Sequence, residues 1–271
     1  MLVPLGKSRC LFGTDGIRDV ANRGLMTPEM ALRLGRSYAL FLIERGVSRP
    51  TIAIGRDTRR SGYMIEMALV SGLLSAGAEV ASLGVIPTPG VSFAVKRLSC
   101  DGGAVVSASH NPFEYNGIKF FNSDGYKLSD GIENEIESYI LGEKAIEELP
   151  THGKVGYVSA NHNAVEDYVA FAVSTIDCRL DGMKIAVDCA NGASYETAFK
   201  ALNKLGANVE AIHNTPDGVN INHMCGSTHM ESLQAYVTSI GADIGIAFDG
   251  DADRMLAVDE NGKLIDGDQI M

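Results

Sequence analysis

The chain has 271 residues, 45% of them hydrophobic and 21% charged, with a formal net charge of −11. That is enough chain for one large or two ordinary globular domains with a sizeable core. The acidity, with no Lys/Arg run to supply a basic face, argues against nucleic acid or anionic membrane as a partner.

No window reaches about 18 uncharged apolar residues, and MLVPLGKSRC lacks the apolar core of a signal peptide. A soluble cytoplasmic protein is expected. Cys10, Cys100, Cys178, Cys189 and Cys225 are odd in number and form no Cys-x-x-Cys pair. Reduced thiols are expected, not a disulfide framework or a zinc ribbon.

In chain order, LFGTDGIRDV (residues 11–20) comes first. Gly13 and Gly16 permit tight turns, Asp15 can orient a neighbour, and Arg18 offers a bidentate phosphate contact. TIAIGRD then reads as a strand leading into GRDTRRSG. Here Ser61 can cap a helix, and Arg59 and Arg60 read as its solvated start beside Arg56. The helix has apolar residues near 64, 67, 68, 70, 73 and 74, and Gly-Ala closes it. A second strand ends at the Thr-Pro of PTPG. GGAVVSAS is a further strand, followed by a polar loop and GIKFFNSDGYKLSDG. An acidic helical stretch near 130–147 and a linker near 148–160 come next.

The same order then returns. MKIAVDCANG, a helix from Thr197 to Leu205, KLGANVEAIH and NTPDG repeat the β-α-β unit, and ADIGIAFD with RMLAVDENGKLIDGD repeats the strand, loop and hairpin. Asp124-Gly125 and Asn261-Gly262 predict type I′ hairpin turns. The expected fold is α/β: two tandem copies of a mixed-sheet module with helices on the sheet faces. The active-site cleft would lie between them, outside the carboxyl ends of the strands. The division expected is 1–155, 156–258 and a start of a third unit at 259–271.

Asp249, Asp251 and Asp253 follow the strand IGIAF at every second position. Carboxylates so close repel unless a cation neutralises them, and a hard divalent ion such as Mg²⁺ suits oxygen ligands. A solvated acidic turn and a phosphatase with an Asp nucleophile stay open on this motif. An EF-hand fails because Arg254 stands where its glycine belongs. In VVSASHNPFEYNGIKFF, Ser109 precedes His110 without a Gly-x-Ser-x-Gly elbow. Ser109 either carries a phosphate facing the aspartates, with His110 and Lys119 handling protons and charge, or caps a plain turn. The remaining histidines, His152, His162, His213, His223 and His229, show no metal-ligand spacing and read as structural or surface residues.

Together, FGTDGIR, SASHNPFEYNGIKFF and DGDADR resemble the α-D-phosphohexomutase superfamily in order and separation over essentially the whole chain. The wording ASHNPFEYNGIKFF and VDENGKLIDGD is most similar to the bacterial branch acting on phosphoglucosamine, with the phosphomannomutase/phosphoglucomutase branch as near neighbour. The resemblance implies an intramolecular phosphotransferase in which Ser109 is the phosphoserine donor. It also implies that Asp249, Asp251, Asp253 and the phosphate on Ser109 hold Mg²⁺. Arg18, His110 and Lys119 would surround the transferred phosphate, and Arg254, Asn111 and Arg18 would bind substrate or phosphate. The implied partner is a small sugar phosphate, and a homodimer is compatible with it. A non-catalytic sugar-phosphate-binding module is the alternative outside enzymes. Family members resemble a four-domain chain, so a fragment carrying the first two domains, without appreciable turnover of its own, is expected.

Overall fold

Alternating burial along the strands builds two sheets, each covered on both faces. The computed structural model describes residues 11–270 except 143 and 145–147. Cys10 and part of the expected 130–147 stretch therefore lie outside the described residues.

The first sheet contains β1 (Ile17–Val20), β2 (Thr51–Arg56), β3 (Glu79–Val85), β4 (Gly102–Val106), β5 (Tyr115–Asn122) and β6 (Val158–Ala160). Its order is β1-β5-β4-β2-β3-β6. The second contains β7 (Lys184–Asp188), β8 (Asn208–Ile212), β9 (Ile244–Phe248), β10 (Met255–Asp259) and β11 (Leu264–Ile265), in the order β11-β10-β9-β7-β8. The run β5-β4-β2-β3 matches β10-β9-β7-β8 strand for strand. In each, two central strands are parallel and the hairpin strand is antiparallel. The expected duplication and fold class are both present.

The period-two alternation assigns the faces. Ile52, Ile54, Ala104, Val106, Ile118 and Phe120 face one core with α1 (Pro28–Glu44), α2 (Gly62–Ser75) and α4 (Asp130–Ile140). Ala53, Val105 and Phe121 face the other with α3 (Thr88–Arg97) and the start of α5 (Ala164–Ser174). In the second sheet, Ala186, Ala247 and Val258 pack on α7 (Glu231–Ile240), and Ile185 and Val187 on α6 (Thr197–Lys204). The short α8 (Gly267–Ile270) ends the described chain. Helix α5 links the modules: Phe171 stacks on Phe93 of α3 and Tyr168 meets it at a tilt, while Glu166 pairs with Lys200 and Lys204 of α6.

Local chemistry sets the helix ends. Thr27 caps α1 by accepting from the Met30 amide, and Pro28 opens it. Gly77 and Gly206 leave α2 and α6 at φ +91° and +96°, as the Gly-Ala reading requires.

Three expectations change. Helix α2 turns Ile65, Leu69, Val70 and Leu73 inward and leaves Met64 and Met67 exposed, so its buried stripe starts one residue later than the apolar pattern suggests. The Thr-Pro of PTPG opens α3 instead of ending a turn. Positive φ falls on Gly125 and Gly262 and not on Asp124 or Asn261. With Gly125 N donating to Asn122 O and Gly262 N to Asp259 O, both turns are type I followed by a left-handed glycine, not type I′. Strand β6 pairs with β3, and β11 pairs with β10.

Helices α1 and α2 meet through Gly35, which faces the Leu69 carbonyl, and Gly72, which faces the Leu32 carbonyl. A Cβ at either position collides with the partner backbone. Gly72→Ala is expected to destabilise the fold by roughly 1–3 kcal/mol in urea unfolding, whereas Ser71→Ala on the exposed side should change little.

Candidate active site

The carboxyl ends of β2, β4, β7 and β9 place four loops at one cleft between the modules. Ser109, in the loop after β4, is buried and has φ +51°, a left-handed backbone that costs a non-glycine residue energy. Its Oγ donates to Asp249 Oδ2 at 2.7 Å, across the module boundary.

Several groups hold Ser109 there. Its amide donates to Ser107 Oγ at 2.9 Å, and Ser107 donates to Asp57 Oδ2 at 2.6 Å. The Arg59 guanidinium bonds Asp57 through Nε and the carbonyls of Ser109 and Asn111 through Nη2, each at 2.8–2.9 Å. Its Nη1 donates to the carbonyls of Pro112 and Tyr115. Arg59 is therefore buried and fully engaged, which corrects the solvated reading. Arg60 is exposed, as expected. From the other module, Asn222 Nδ2 donates to the same Ser109 and Asn111 carbonyls at 2.9 and 3.0 Å.

Asp249, Asp251 and Asp253 turn oxygens to a common point, all within 4.8 Å of one another, and Asp249 and Asp251 are buried. Thr88, the first residue of α3, donates its hydroxyl to Asp251 Oδ2 at 2.7 Å and its amide to the Asp251 carbonyl at 2.9 Å. The other Asp251 oxygen, Oδ1, is buried with no hydrogen-bond partner among the described residues. Gly250 must be glycine because a Cβ would press on Asn222 Nδ2 and the Ser109 carbonyl, both at 2.7 Å. Burial first, then repulsion from Asp251, pushes Asp249 up to about 6; the same causes raise Asp253. The three carboxylates could hold a cation, and an all-oxygen set with an orphaned buried oxygen suits a hard one.

Two cations, Lys119 and Arg18, come from the first module. Lys119 Nζ lies 3.8 Å from Asp253 and 4.0 Å from Asp15, whose other oxygen pairs with Arg18 at 3.1 Å. Strand β1 brings Arg18 opposite Gly117 of β5, two residues from Lys119, which is how FGTDGIR reaches this cleft. Arg254 Nη1 approaches exposed His110 Nδ1 at 3.3 Å. Asn111 contributes its main-chain carbonyl to the clamp. Sequence reasoning missed Thr88, Asn222 and the buried role of Arg59. Asp57-Thr-Arg59 directly after a strand was the one available signal for the last.

The family model "Phosphoglucomutase/phosphomannomutase, alpha/beta/alpha domain I" matches residues 9–147, and that for domain II matches 165–262. The chain belongs to the phosphoglucomutase/phosphomannomutase family. Among its relatives, the phosphoglucosamine mutases of Ruminiclostridium cellulolyticum and Acetivibrio thermocellus are each 56% identical over 96% of this chain. The chain spans 58% of the length of each. The crystal structure of a phosphoglucomutase/phosphomannomutase family protein from Burkholderia thailandensis superposes with a TM-score of 0.80 at 29% identity. The match covers 94% of this chain and 56% of that one. The resemblance drawn from the three motifs is borne out.

The raised Asp249 gives a signed prediction. A carboxyl raised in the folded state adds stability below its unfolded value of about 3.9, and that stability is lost as pH rises through about 6. With chelator present, unfolding free energy is expected to fall by on the order of 2–3 kcal/mol over this window, and Asp249→Asn should flatten the decline. Urea titrations across the window check it.

Proposed function

We propose that the chain is the phosphoryl-transferring part of a phosphoglucosamine mutase, interconverting glucosamine 6-phosphate and glucosamine 1-phosphate. The observation that carries this is the 2.7 Å contact of Ser109 Oγ with Asp249, inside a cleft that also gathers two more carboxylates and Lys119. The relatives named phosphoglucosamine mutase support the choice of sugar.

In this reading Ser109 carries the phosphoryl group. A hydroxyl of the sugar monophosphate attacks phosphorus, the new sugar O–P bond forms, and the P–Oγ bond breaks. The hydroxyl proton passes to His110 or Lys119, and Oγ regains a proton. The bisphosphate then turns round in the cleft and returns its other phosphoryl group to Ser109. Arg18 and Lys119 balance the negative charge on the moving group, with Arg254 and Asn111 at the substrate side. Asp249, Asp251 and Asp253, with a phosphate oxygen on Ser109, would hold Mg²⁺. When bound, the ion neutralises the carboxylates and draws charge from the phosphoryl oxygens. Among the described residues no helix is long and apolar enough to cross a membrane.

Incubation of the chain with glucosamine 1,6-bisphosphate and Mg²⁺, followed by phosphopeptide mapping, tests the reading. The expected result is acid-stable phosphate on Ser109, absent in Ser109→Ala. Lys119→Met should slow its appearance roughly 100- to 10,000-fold. Acid-labile phosphate on Asp249 would point to an aspartyl phosphatase instead, and no label at all would reject phosphoryl transfer.

A further inference from the structure

A second group of ligand atoms lies at the end of β7, apart from the catalytic loops. Asp188, His213 and Cys225 offer a carboxylate oxygen, an imidazole nitrogen and a thiol, all within 4.8 Å of one another. Asp188 ends β7, His213 directly follows β8, and Cys225 precedes a 3-10 turn at Gly226–Thr228. Asp188 and Cys225 are fully buried, and the His213 side chain is 31% exposed.

The carboxylate is fixed in place. Asp188 Oδ1 accepts from the Ala190 amide at 2.8 Å, and Oδ2 from the Gly226 amide at 2.9 Å. His213 Nδ1 stands 3.0 Å from Asp188 Oδ2, and contact with that carboxylate raises the imidazole above its ordinary value. Cys225 Sγ lies within 4.8 Å of both atoms and completes the group.

We propose that Asp188, His213 and Cys225 form a site for a late first-row divalent cation of the Zn²⁺ class, distinct from the three-aspartate site. A mixed oxygen, nitrogen and sulfur set selects such an ion, whereas all-oxygen sets select Mg²⁺. Three protein ligands leave one position for water, reachable past the exposed edge of His213. Burial and the neighbouring Asp188 push the metal-free Cys225 thiol up to about 12. Binding therefore expels the thiol proton to solvent as the Sγ–metal bond forms.

The consequence is mechanical. Asn222 lies between His213 and Cys225, and its amide clamps the carbonyls of Ser109 and Asn111. The carbonyl of Gly218, in the same loop, accepts from the Arg60 amide of the first module at 2.8 Å. A cation joining residues 213 and 225 pins both ends of the loop that straps one module to the other. None of this depends on the mutase reading.

Titration of the metal-free full chain with Co²⁺, followed by absorption spectroscopy, tests it. One equivalent is expected to give thiolate-to-cobalt charge transfer and intense tetrahedral bands. Cys225→Ser should abolish the charge transfer. His213→Asn, on a half-exposed side chain, should weaken Co²⁺ binding by about tenfold or more. Asp251→Asn should leave both signals unchanged, and circular dichroism verifies that each variant is folded. Absence of charge transfer in the unaltered chain, its survival in folded Cys225→Ser, or its loss only in Asp251→Asn would overturn the proposal.

Discussion

Three carboxylates converge at the mouth of β9, and most of the surrounding structure answers their mutual repulsion. At an effective dielectric of about 20, two unit charges at the separation seen here oppose each other by about 3–4 kcal/mol. The loop does not spring open because its backbone is fixed on both sides. Ala193 N donates to the Gly250 carbonyl, Ala252 N to the Asp249 carbonyl, and Thr88 holds Asp251 twice. Lys119 stands at the open side, near Asp253 and Asp15. What is left over is a buried, unpartnered Asp251 oxygen and an Asp249 that holds its proton toward neutrality. Both are relieved by the same remedy, a small hard cation.

Ser109 is the counterpart of this electrostatic tension in conformational terms. A serine at φ +51° carries strain of about 1–3 kcal/mol. Two side chains from opposite modules, Arg59 and Asn222, grip its carbonyl, and Ser107 holds its amide. Hydrogen bonds from a charged donor contribute about 1.5–3 kcal/mol each, and neutral ones about 1. The clamp therefore outweighs the strain, and the hydroxyl is held toward Asp249. The same reasoning explains why Arg59 leaves no donor for a ligand: it is spent on four carbonyls and Asp57. Cation duty in the cleft falls to Lys119 and Arg18.

Features written locally in the sequence were legible, and features written between distant segments were not. Strand alternation, the Gly-Ala helix ends and the matching order of the two modules follow from short-range periodicity and backbone preference. Ser109, the three aspartates, Lys119 and Arg18 were picked out by residue type and motif, and the structure gathers them in one cleft. Thr88 meets Asp251 from 163 residues away and Asn222 meets Ser109 from 113, so nothing near either residue announces its partner. Arg59 looked solvated because its neighbours are Thr, Arg and Ser, yet β2 and β4 bring carbonyls to it from 50 to 56 residues along the chain. His213, apparently alone in a loop, meets Asp188 and Cys225 only through the pairing of β7 with β8.

Duplication of the module explains why one site needs two copies. Each copy presents a loop after its central parallel strand and before its hairpin, so two copies set face to face bring those loops together. The copies have diverged in charge: the first contributes a hydroxyl with Lys119 and Arg18, the second a concentrated negative point. Neither loop alone brings the buried hydroxyl and the three carboxylates together. Polar contacts across the boundary at the strand mouths include Thr58 to the Asn191 carbonyl, Arg60 to Gly218, Thr88 to Asp251, Ser109 to Asp249, Lys119 to Asp253, and Asn222 to the Ser109 loop. Away from these, α5 carries the link between α3 and α6. The same short bonds that shape the site hold the modules together, so a shift of one module against the other breaks several of them, the Ser109–Asp249 contact among them.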